Sequence, residues 1–139
     1  MFKKIKTTIE SAGNVIKEQA TMLQDSAKEK AFALIEEWVM ILPKLEECGL
    51  EITSFGTSVS ISPTLEVELK GKHEDFSRER IAELIEEHKG STPLRLVFST
   101  TKTTYQLHDR SGSAIEEPLI IHIKVGISPE IRVFFGVPL

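Results

Sequence analysis

Four histidines, a single cysteine and several paired glutamates are the residues whose types could carry chemistry in this chain. A metal site needs several His, Cys or carboxylate ligands at fixed spacing. His73, His88, His108 and His122 show no helical i, i+4 pairing and no His-Glu-x-x-His context. His73-Glu74-Asp75 could hold a cation, but Glu74 and Asp75 stand just before a helical stretch, where they complement its positive end. No metal and no other cofactor is therefore expected. His108-Asp109-Arg110-Ser111-Gly112-Ser113 has the residue types of an acid–base or nucleophilic site, with Ser111 or Ser113 as nucleophile. Nothing in the spacing forces that geometry, and Ser-Gly-Ser is ordinary loop composition.

Cys48 falls at the end of a helical pattern, where no positive field lowers a thiol's pKa, so it reads as a core or interface residue. Glu36-Glu37, Glu46-Glu47 and Glu86-Glu87 diverge by about 100° around a helix and read as solvated faces. There is no GxGxxG, GxxxxGK[ST] or CxxC. His122 alternates with Ile121 and Ile123, as a half-exposed sheet histidine would.

The chain has 139 residues and a net charge of -4, with 40% hydrophobic and 27% charged residues. These values suit one domain with a genuine core. The acidic balance speaks against nucleic acid as a partner. One cysteine permits no internal disulfide and fits a reducing compartment. The basic opening Met1 to Lys6 is followed by polar residues rather than the apolar run of a signal peptide, so a cytoplasmic location is expected.

The elements that must position these groups begin with a long amphipathic helix over residues 2–48. Its apolar positions recur at steps of three and four, and proline is absent before Pro43. Ser26-Ala27-Lys28-Glu29 matches a capping box, so two readings stand: a continuous helix, or one broken near 24–26. Pro43 should kink the last turns, and Gly49 should end the helix in the left-handed conformation. The period then changes to two. Strands are expected around Phe55–Ile61 and Leu65–Lys70, with a helix over 76–89 opened by Ser77 and closed by Gly90 and Pro93. Leu94, Leu96 and Phe98 start a further strand, which changes phase at 99–102 and runs on through Thr103, Tyr105 and Leu107. Residues 108–117 read as a loop, and 118–127 and 130–137 as the last two strands.

Val59-Ser60-Ile61-Ser62-Pro63-Thr64-Leu65 is repeated as Val125-Gly126-Ile127-Ser128-Pro129-Glu130-Ile131. Each copy reads as strand, Ser-Pro-X turn, strand, with a three-residue connection. The fold class is therefore α+β: a long helix on an antiparallel sheet of about five strands, with a second short helix and a duplicated hairpin. Residues 1–139 form one domain, with 1–25 a protruding or association helix and 26–139 the α+β body.

A mismatch of length bears on function. A compact domain of this size is roughly 35–40 Å across, whereas a helix from residue 2 to 48 would be about 70 Å long. The more apolar second half belongs on the sheet. The stripe Phe2, Ile5, Ile9, Ile16 and Leu23 must then find cover elsewhere. The expected cover is a second copy or a helical protein partner, ahead of a fold-back or peripheral membrane contact. The leading expectation is a non-catalytic protein that acts by association. One alternative is a carrier of an apolar or lipid-like ligand, held between helix and sheet by Trp38, Phe55, Phe98 and Phe135. The other is a small hydrolase-like enzyme using His108 and Asp109.

Overall fold

A computed structural model describes residues 22–138, with side chains from residue 27 onward. Helix α1 (Met22–Glu47) leads into a hairpin of β1 (Glu51–Val59) and β2 (Pro63–Gly71). A short 3-10 turn (His73–Asp75) follows, then α2 (Arg78–Glu87) and α3 (Thr92–Ser111). A second hairpin, β3 (Leu119–Val125) and β4 (Pro129–Phe135), closes the chain. The four strands form one antiparallel sheet in the order β1-β2-β3-β4. Among the described residues the fold is thus α+β with three α-helices and four strands, one strand fewer than the sequence pattern suggests.

The central strands set the core. Leu65, Val67 and Leu69 of β2 stand opposite Val125, Ile123 and Ile121 of β3. All six are buried on the face covered by α1 and α3. The alternate residues face outward, where Glu66 meets Lys124 and Glu68 meets His122. Period-two alternation therefore fixes this register: a slip of one residue would drive the carboxylates into the core. Helix α1 presents Ala31, Ile35, Trp38, Leu42 and Leu45, all buried, at steps of four and three. Trp38 and Phe98 are the largest fully buried side chains, each 1% exposed.

The backbone is helical from Met22 onward with no interruption at 24–26, so of the two readings the continuous helix holds over the described residues. The helix also continues through Pro43 to Glu47. Gly49 then adopts a φ of 110°, the left-handed geometry expected of the residue that ends it. Helix α2 opens as its sequence predicts, with Ser77 Oγ accepting from the Arg80 amide at 3.2 Å.

The largest correction concerns residues 92–111, expected as a strand followed by a loop and found as a helix of 20 residues. Ser91 caps it by accepting from the Leu94 amide, Pro93 lies in its first turn, and Gly112 ends it at φ 69°. The apparent change of strand phase is helical periodicity. Leu94, Val97, Phe98 and Thr101 recur at steps of three, one and three, and all are buried. The β-rich composition is tolerated because hydroxyls find partners inside the helix. Thr100, Thr101 and Thr104 each donate to the carbonyl four residues earlier, at 2.8 Å.

Both hairpins close with three-residue loops, since Val59 pairs with Pro63 and Val125 with Pro129. The loops are 60–62 and 126–128, two residues before the Ser-Pro-X positions. Ile61 and Ile127 therefore sit in exposed turns rather than in strands. Each proline opens its strand, a position that tolerates the missing N–H. Because each hairpin follows a long helix, the chain contains two αββ units with α2 between them.

Truncating a core side chain of α3 separates its helical reading from a strand reading. Phe98→Ala should lower the unfolding free energy by about 3–5 kcal/mol, whereas Leu107→Ala, on the exposed side, should change it by about 0.5 kcal/mol or less. Urea denaturation checks both values.

Candidate association surface

Among the described residues, strand β1 forms one edge of the sheet and pairs only with β2. Residues 52–62 contain no charged side chain. Phe55 pairs with Val67, and Thr57 with Leu65, so these β1 residues share the face that the helices cover elsewhere. There the cover stops. Val67 and Leu65 are buried, yet Phe55 is 43% exposed and Val59 38%, and Ile61 in the adjoining turn is 63% exposed. A bulge between Ile52 and Ser54 marks the start of this stretch, where Thr53 Oγ1 donates to Glu68 Oε1 at 2.8 Å. Beyond it, the side chains of Ser58 and Thr64 are hydrogen-bonded across the hairpin. The strand is thus held firmly on one side, while its other side, next to apolar side chains, has no strand partner among the described residues.

Edge β4 differs. It is shorter, it begins with Pro129, and it carries Glu130 and Arg132. Charge and proline are common protections against edge-to-edge pairing. The Arg132 guanidinium lies over Phe134 at 5.1 Å, and the His122 ring meets Phe134 edge-on at 5.4 Å. Phe134 thus finds its cover on the outer face of the same sheet, not in another layer.

The stripe Phe2, Ile5, Ile9 and Ile16 lies outside the described residues, as does the side chain of Leu23. Of the suggested ligand-binding set, three residues share one cluster and the fourth stands apart. Trp38 and Phe98 fill the core, Phe135 is half-buried at its margin, and Phe55 lies on the open edge strand. Cys48 is buried, and burial pushes its thiol above the ordinary value despite the opposing pull of Arg80.

His108, Asp109 and Ser111 occupy the last turns of α3, and each has a different partner. The His108 ring packs against Phe135 at 5.2 Å, and Asp109 lies 3.4 Å from Arg78. The Ser111 hydroxyl donates to the His108 carbonyl at 2.6 Å, and Ser113 lies beyond the helix, its amide donating to Ser111 Oγ. No hydrogen bond links these side chains into a relay. Among the described residues, no group of three or more His, Cys, Asp or Glu side chains could hold a metal ion.

A cluster that sequence spacing could not reveal joins His73 to Tyr105. His73 Nε2 lies 2.6 Å from the Glu116 carbonyl, and Nδ1 lies 2.6 Å from the Tyr105 hydroxyl. A carbonyl only accepts, so Nε2 carries the proton. In the neutral imidazole Nδ1 then accepts, and the tyrosine donates. Phe135 packs on both rings, at 4.7 Å and 4.5 Å. The cluster ties the 3-10 turn, α3, β4 and the loop before β3 together. It borders a cavity of about 400 Å³ that Arg78, Lys102 and Ile115 also line. Because the phenol's proton is committed to His73, the arrangement acts chemically as a brace.

Burial, reinforced by the Glu117 charge, holds the Tyr105 hydroxyl well above the ordinary tyrosine range. The fold therefore favours the neutral phenol. This contribution is fully present below about pH 10, the unfolded value, and is lost as the pH climbs through the higher folded value. Tyr105 is the sole tyrosine. Its ultraviolet titration should be displaced upward and coincide with the loss of far-ultraviolet circular dichroism. A reversible titration near pH 10 with the fold intact would contradict this. The chain matches no known protein family, no curated protein and no solved structure.

Proposed function

We propose that the protein works by association, with β1 as the surface through which it joins another protein chain. The observation that carries this reading is an edge strand without charge from residue 52 onward, with Phe55, Val59 and Ile61 left uncovered beside it. Long, uncharged edges invite pairing, and β4 is guarded where β1 is not. Exposed apolar side chains next to such an edge supply the burial that makes pairing favourable. The amphipathic stripe Phe2, Ile5, Ile9, Ile16 and Leu23 is the second part of the proposed surface. On this reading the role is to join chains, and no chemical step is assigned to the histidines.

Solution mass tests the reading. The full chain should sediment above its 15.6 kDa monomer mass. Phe55→Asp combined with Val59→Asp should weaken association at least about tenfold, because burying one large apolar side chain contributes about 1.5–3 kcal/mol. Ile9→Asp combined with Ile16→Asp should act in the same direction. All variants should keep the wild-type circular dichroism. A wild type that stays monomeric at its highest soluble concentration overturns the proposal.

A further inference from the structure

We infer that the occupant of the β1 edge is a second copy of this chain, paired antiparallel about a two-fold axis through Thr57. This deepens the association reading and rests on it. Two-fold pairing makes each residue meet its counterpart in a single register, so the strand must be compatible with itself. Centred on Thr57, the register sets Phe55 opposite the other copy's Val59, and Val59 opposite its Phe55. Aromatic against β-branched is among the favourable cross-strand combinations.

The outward side of the same register is also compatible with itself. Gly56 meets Ser58, so only small side chains adjoin, and Ser54 faces the start of the other copy's turn. Glu51, the one charged residue of the strand, falls outside the matched stretch of 55–59. No like charges are therefore brought together. A centre at Phe55 would instead run the pairing across the bulge at Thr53, where the ladder is irregular.

A second copy also explains why the exposed apolar residues lie on one face. Phe55 and Val59 of each chain would form a four-residue cluster across the axis, on the side where α1 and α3 cover the other strands. The two four-stranded sheets would join into one of eight strands, leaving the guarded β4 edges at its ends.

Thiol pairing reads the register directly. In a Cys48→Ala background, Thr57→Cys should give a covalent dimer within minutes of mild oxidation, and Phe55→Cys should not. Thr57→Lys, which sets two like charges face to face, should reduce the dimer at least tenfold while circular dichroism stays unchanged. Thr57→Val should leave the dimer intact. Four outcomes overturn this inference. A wild type that associates and is dissolved by Phe55→Asp with Val59→Asp, yet gives no Thr57→Cys dimer, rejects the register and leaves the association reading standing. Stronger coupling at Phe55→Cys rejects it in the same way. Mass that keeps growing with concentration rejects the two-fold in favour of head-to-tail pairing of β1 with β4. A monomeric wild type rejects both proposals together.

Discussion

The constraint on which the structure depends is the apolar seam between β2 and β3. These two strands are far apart in sequence, and their facing residues, from Leu65 against Val125 to Leu69 against Ile121, are buried beneath two helices. The seam joins the first αββ unit to the second. Without it each unit would be one helix on a two-stranded ribbon, and an isolated hairpin is at best marginally stable in water. The two helices have this seam in common. Trp38 from α1 and Phe98 from α3 belong to the same cluster above it, so the core of the protein is also the junction of its halves.

The position of β1 follows from the same geometry. Sheet order places it furthest from α3, and α1 lies mainly over the seam. Its inward residues keep the character of a covered strand while lacking the cover. Glu68 is held from both sides, by Thr53 of β1 and by His122 of β3 at 2.9 Å, so the polar face of the sheet is tied together as far as the open edge. The exposed apolar residues thus belong to an ordered strand with fixed register.

Most of this architecture was legible in sequence where one physical signal acted alone. The alternation Leu65, Val67, Leu69 against Glu66, Glu68, Lys70 marks a half-buried strand, and the repeated Val-x-Ile-Ser-Pro marks equivalent hairpins. Legibility failed where two signals competed. Residues 94–107 are rich in threonine, valine and aromatics, which favour strands, yet their burial follows a helical period. The Ser91 cap and the Gly112 stop were the deciding signals. Pro93 stands in the helix's first turn, a place proline shares with helix ends, and so it was ambiguous. The His73–Tyr105 brace was illegible for another reason: 32 residues separate the partners, and only the folded path of the chain brings them together. The exposure of Phe55 was equally hidden, because alternation shows which face a residue takes but not how far the layer above it extends.

The order of the hairpins has an evolutionary consequence. β3 stands in the second unit where β1 stands in the first, and β4 where β2 stands. The halves are thus related by a shift along the sheet, like successive bricks in a course, and not by rotation about a shared axis. A lone ancestral brick of this kind would have added neighbours indefinitely in one direction. Joining two of them caps that growth only where the outermost bricks differ, and the second unit carries Glu130 and Arg132 where the first carries Thr64 and Glu66.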